Sequence, residues 1–300
     1  MKKKDRFYLK FVKEILAALK RNHVRKFPHR NDPKKVGVWA NACLLALRSL
    51  EDKSYRSIVE LVSMMPEILK LIGLENAPHF TTLQKAAARL SDLFVKKLIA
   101  GIVKVTKSLK IRAGIDATGL QLTRASAYYA KILAQNGKKR KRIKKHIKLS
   151  TVVDLSHQLP ICFKVRRGPA SDHLDCNALI RKAYSIKPFK SFDGDKGYTG
   201  EEHRRIVVEE CHAEDRIKVK NPEVPIWKTK RVYLKKAKRR KLRANYRALN
   251  ETYHSVLKKM TGSCVRAIKV RMQNIEISFK VLACSAYRRA KSFFFWEVFY

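Results

Sequence analysis

The spacing of apolar residues changes character near residue 109, and that change divides what the chain can become. Before it, Tyr8, Phe11, Val12, Ile15, Leu16 and Leu19 recur at helical intervals, as do Val38, Leu44, Leu45, Leu47 and Leu50. This spacing predicts successive helices, each burying one face. Ser54 is placed to cap a third helix carrying Ile58, Leu61, Val62 and Met65, which Pro66 stops, and Gly73 ends a short fourth. Thr81 and Thr82 start another, with Leu83, Ala87, Leu90 and Phe94 on one side and Gln84, Lys85 and Arg89 on the other. Short helices ending in one with a polar, basic outer face fit a helix-turn-helix reader of DNA, with Lys85 and Arg89 toward the nucleic acid. An ordinary helical bundle with a solvated face shares the pattern.

After residue 109 the residues alternate. Ile111, Ala113 and Ile115 point one way and Arg112, Gly114 and Asp116 the other; Ile147 to Leu155 and Ile161 to Val165 repeat the pattern, with His157, Gln158 and Pro160 as the turn between. A helix over Leu174 to Tyr184, a strand over Phe189 to Phe192, a helix over Thr199 to Cys211, a strand over Arg216 to Val219 and a long helix through Glu251 follow. Three strands and then alternating helices and strands predict an α/β fold, a mixed sheet flanked by helices. The expected division is a helical N-terminal domain over 1–108, the α/β domain over 109–290 and a tail over 291–300.

Charge narrows the partners. The 300 residues carry 68 Lys and Arg against 25 Asp and Glu, a formal charge of +43, which points to a polyanion. Lys138 to Lys148 holds eight Lys or Arg in eleven residues, and Lys228 to Arg243 holds ten in sixteen with no acid. Solvated loops carry such runs too, but both flank the carboxylates considered next, so Lys138, Lys139, Arg140, Lys141, Arg142, Arg239 and Arg240 are expected to line DNA. No apolar run approaches membrane-spanning length, and no lipidation motif favours a membrane surface. The six cysteines form no CxxC pair and read as core residues of a reducing compartment. A cytoplasmic, nucleoid-associated protein is expected.

Three acids stand in settings suited to a divalent metal. Asp116 closes an apolar run, Asp195 opens a turn punctuated by Gly194, Gly197 and Gly200, and Glu251 lies on a helix whose apolar stripe is Leu249, Tyr253, Val256, Leu257 and Met260. Asp193, Asp154 and Asp172 compete with Asp195 as ligands, and each acid has a bland reading as a solvated or turn residue. Carboxylates in a phosphate-binding channel repel their substrate unless a cation reverses the sign. Two ions held by carboxylates would activate one oxygen and stabilise the leaving oxygen of a phosphoryl displacement, and oxygen donors suit Mg²⁺ or Mn²⁺.

The ordered motifs IDATGL, GPASDH, DGDKGYTG and Arg247-x3-Glu251-x6-Lys258, with SYRSIVELVS and PHFTTLQKAAARL before them, resemble the DDE transposases of bacterial and archaeal insertion sequences over roughly residues 50–285. The resemblance implies a ribonuclease H-like core, Asp116, Asp195 and Glu251 as ligands of two Mg²⁺ or Mn²⁺ ions, and Arg247, Lys258 and Lys196 on DNA. It also implies a homodimer on the element ends, cleavage of DNA by metal-activated water, and joining of the 3′ hydroxyl to target DNA. One departure concerns the terminal bases: many relatives carry Tyr three residues before the Arg, where this chain has Ala244. A plain metal-dependent nuclease and an inactive basic DNA-binding relic are the alternatives.

Overall fold

The computed structural model describes residues 3–28, 36–106, 111–123, 146–168, 170–171, 173–240 and 247–298. They group into two compact units, one of residues 1–106, 256–262 and 269–300, the other of residues 107–255 and 263–268.

The first unit is helical. Helices α1 (Lys3–Arg21), α2 (Val38–Leu50), α3 (Tyr55–Ser63), α4 (Pro66–Ile72), α5 (Phe80–Arg89) and α6 (Asp92–Val103) follow the expected order. Phe11, Val12, Ile15 and Leu19 of α1 are fully buried. The Ser54 hydroxyl accepts the N–H of Ser57 and caps α3, and Gly73 ends α4 with positive φ. Pro66 starts α4, where its missing N–H does no harm. The helix expected to run from Leu83 through Phe94 is instead two helices. Ser91 accepts the N–H of Phe94 and caps α6, with Asp92 in its first turn, so Leu90 and Phe94 leave the Leu83 and Ala87 stripe.

The larger departure is α11 (Val270–Val298). It was expected within the α/β domain and a tail, yet it belongs to the helical unit and packs on α6, α2 and α1. Every residue from Ile275 to Ala286 is buried, so the helix is surrounded on all sides and shows no amphipathic stripe.

The second unit holds a mixed sheet in the order β3-β2-β1-β4-β5. Its strands are β1 (Ile111–Leu122), β2 (His146–Asp154), β3 (Leu159–Arg167), β4 (Phe189–Gly194) and β5 (Glu214–Ile217). β2 runs antiparallel to β1 and β3, whereas β4 runs parallel to β1 and β5. A two-residue β6 (Cys264–Val265), absent from the sequence reading, pairs with the far end of β1. Pro160, expected in the turn, lies in β3 opposite Val153, where the register shifts; an edge strand tolerates proline there.

Helices cover both faces. α7 (His173–Ile186) packs on β2 and β3, where the Cys162 thiol reaches the Leu179 carbonyl. α8 (Glu201–Arg205) continues as a π turn over Ile206–Glu210, and Arg204 is buried between Asp215 and the carbonyls of Ile217 and Lys218. α9 (Val232–Arg239) and α10 (Arg247–Thr261) complete the order of strands and helices expected of the α/β domain. No helix among the described residues is long and apolar enough to cross a membrane.

Candidate active site

Parallel pairing of β1 with β4 brings two of the three acids together. The register sets Gly114 beside Asp193 and Ile115 beside Gly194, so Asp116, midway along β1, lies next to Asp195, which follows the last residue of β4. Gly194 permits this spacing, because a Cβ there would stand 3.3 Å from both Ile115 and Ile217 side-chain carbons. β4 stops at that point. Asp195 opens a one-turn 3₁₀ helix over Lys196–Tyr198, its carbonyl accepting the Tyr198 N–H at 2.9 Å. Asp116 stays in β1, half-buried, and its Oδ1 accepts the N–H of Ala117 at 2.8 Å.

The competitors have other roles. Asp193 is buried beside Arg216, its partner across β5, with Oδ1 3.5 Å from the Arg216 Nε. Burial pushes the Asp193 carboxyl up to about 6, against the pull of Arg216 and Arg112. Asp154 is fully buried and closes the β2–β3 turn, accepting the N–H groups of Ser156 and His157 and lying 2.8 Å from the His157 Nδ1. Asp172 lies outside the described residues.

α10 covers β1 on the face that carries Asp116. The Asn250 amide would stand 2.5 Å from a Cβ on Gly114, so the helix can lie this low only over a glycine. One turn on, the His254 Nε2 is 3.2 Å from the Thr151 hydroxyl and 4.0 Å from the Asp116 Oδ2. Thr151 is the cross-strand partner of Asp116. Asn250 and His254 are therefore site residues that the sequence reading missed; their signal was i,i+4 spacing beside the apolar stripe, on the side between that stripe and Glu251.

Glu251 is exposed on the second turn of α10, one residue after Asn250. Among the described residues no three Asp, Glu, His or Cys side chains converge closely enough to hold a metal ion. Two acids, Asp116 and Asp195, thus lie at adjoining register positions of β1 and β4, and Glu251 stands on the covering helix.

The cations expected on DNA are dispersed. Lys196, next to Asp195, is exposed, as are Arg239 and Arg240 at the end of α9. Lys258 is half-buried two turns beyond Glu251, and Arg247 begins α10. Lys85 and Arg89 are exposed on α5 while Leu83 and Ala87 of that helix are buried. Lys138, Lys139, Arg140, Lys141 and Arg142 lie outside the described residues.

No family model matches the chain, and no curated protein matches it. Among solved structures, it is similar to a piggyBac transposase in a cryo-EM synaptic complex with hairpin DNA, with a TM-score of 0.46 and 9% identity over 96% of this chain and 74% of that one.

Proposed function

We propose that the chain is a transposase of the DDE kind, with a ribonuclease H-like catalytic unit that performs metal-dependent phosphoryl transfer on DNA. The observation that carries this reading is the register of β1 and β4, which sets Asp116, midway along β1, beside Asp195 at the carboxyl end of the parallel strand β4. Open α/β sheets bind ligands at that end. The formal charge of +43 and the ordered motifs from IDATGL to Lys258 support the same reading.

In this proposal Asp116 and Asp195 hold Mg²⁺ or Mn²⁺, two ions in all, and Glu251 contributes a further carboxylate from α10. Bound there, the cations would offset phosphate charge and make water a better nucleophile. His254 and Thr151 orient the Asp116 carboxylate. Lys196, Arg239, Arg240, Arg247 and Lys258 hold the DNA backbone, and Lys85 and Arg89 bind DNA from α5. Hydrolysis breaks a P–O3′ bond and leaves a 3′ hydroxyl; in transfer that hydroxyl oxygen forms a new bond to a target phosphorus, whose own 3′ oxygen departs. Positioning and charge carry most of such catalysis. A homodimer on the paired element ends belongs to the same proposal.

The test supplies the purified chain with Mg²⁺ and DNA ending in the inverted repeats that flank its coding region. Joined products are the expected result. Nicks without joining would replace the reading with a nuclease, and a complex indifferent to metal with neither product would overturn both. Glu251→Gln and Asp195→Asn are each expected to lower cleavage by more than about a hundredfold, the scale of losing one stabilising group, with DNA affinity held within about twofold.

A further inference from the structure

A cavity of about 830 Å³ opens one residue beyond Asp195, wholly within the α/β unit. Six cations line it: Lys196, Lys220, Lys228, Lys230, Arg231 and Lys238. Its walls are fixed by contacts that leave most of those charges outward. The Lys238 ammonium donates to the Val224 carbonyl at 2.6 Å and the Thr229 hydroxyl at 3.1 Å, tying the 224–229 segment to α9. The neighbouring Glu201 carboxylate accepts the N–H groups of Tyr233 and Leu234 at 2.7 and 3.1 Å, which anchors the start of α9. That acid is therefore engaged with backbone rather than with the lysines. Lys196, Lys220, Lys228, Lys230 and Arg231 are all exposed.

Like charges gathered around one cavity repel, and a bound anion relieves them. A volume of this size lies in the range that encloses a small ligand and is too small to enclose a DNA duplex. An unpaired strand can lower its phosphates into it. Trp227, beside the lining residue Lys228, is 76% exposed and offers a face on which a base can stack. His173 also lines the cavity; its Nδ1 is committed to the His203 Nε2 at 2.9 Å, so its Nε2 is the nitrogen available to a ligand.

We propose that this cavity binds the phosphates of an unpaired DNA strand next to the reacting carboxylates. The inference rests on the nucleic-acid reading above and adds to it a strand-selective site. The experiment uses the full chain in EDTA, so that binding is read without cleavage, and follows the anisotropy of a labelled oligothymidylate and of a blunt duplex of equal length across a salt series. The variant is Lys220→Ala/Lys228→Ala/Lys230→Ala, three exposed side chains outside the carboxylate site.

The expected result is a loss of about tenfold or more in single-strand affinity, a salt slope shallower by about 2, as three lost single-strand contacts require, and duplex affinity within about threefold of the parent. Equal losses on both substrates, or no loss on either, would overturn the proposal. Thymidine monophosphate and inorganic phosphate are not expected to displace the oligonucleotide at matched phosphate concentration; displacement would assign the cavity to a free nucleotide or to phosphate and refute the strand. The two proposals fail separately. A parent chain that never cuts while the triple variant loses strand binding retires the transfer reaction alone, and a parent that cuts while the variant binds strands normally retires the cavity alone.

Discussion

His203 shows how one side chain can set the acid limb of stability. Its Nδ1 faces the Asn177 Oδ1 at 2.5 Å and its Nε2 faces the His173 Nδ1 at 2.9 Å. A carbonyl oxygen at Nδ1 requires a proton there, so Nε2 accepts from His173, and a second proton on His203 would oppose two N–H groups. Burial, followed by the charge of His173, depresses the His203 pKa from 6.5 to about 4. Between those values the unfolded chain binds more protons than the folded one, so this residue's contribution falls as pH drops through that window, by about 3 kcal/mol in full. Asp193 runs the other way: raised from 3.8 to about 6, it favours the folded state in acid and loses that advantage as pH rises. Thermal melts of the parent and His203→Gln between pH 7 and pH 4 isolate the first effect. The difference between them should narrow or reverse on acidification, and a constant difference would refute the assignment.

Among the elements, the seat of α10 on β1 depends on a missing side chain. Gly114→Ala would set a methyl against the Asn250 amide and the Leu155 side chain, both within 3 Å of the new carbon. Overpacking of this kind costs about 1–3 kcal/mol, and Asn250→Ala in the same chain should recover part of it; strictly additive urea midpoints would show that the two residues are not in contact. Much of this geometry was legible in advance. The alternation through Ile111, Ala113 and Ile115 gave the first half of β1, though the strand runs on past Asp116 to Leu122, and the stripe through Tyr253 and Leu257 gave the buried face of α10. Asn250 and His254 were not legible, because a polar residue facing a sheet looks like a solvated one until its partner, here Gly114 or Thr151, is known. The break between α5 and α6 rested on Ser91, a capping residue hidden within an apolar pattern that continued at helical spacing across it.

At the scale of the molecule, the helical unit is built around its latest segment in the chain. α11 contributes Ile277, Phe279, Val281 and Leu282 to a core shared with α1, α2 and α6. Its sequence, apolar residues mixed with Ser278, Lys280 and Ser285, reads as neither amphipathic nor membranous, so the pattern alone does not assign residues 270–298 to the helical unit. Lys280 is buried, and its ammonium donates to the Thr261 and Gly262 carbonyls beside Asp52, so a charge sits inside the core with its partners. Truncation after Ile268 should abolish the cooperative unfolding of the helical unit, with amides of α1, α2 and α6 losing protection from hydrogen exchange. Native-like protection there would show that α11 is dispensable.

The order of synthesis gives that arrangement a further meaning. A ribosome delivers α1 to α6 first, yet the surface that α11 covers remains bare until residues 269–298 have emerged, while every strand of the sheet has already been made by Val265. Domains usually fold as they leave the ribosome, beginning with the N-terminal one. Here α1, α2 and α6 are made before the helix that shares their core, so part of their apolar surface stays open to chaperones or to neighbouring nascent chains until residues 269–298 follow.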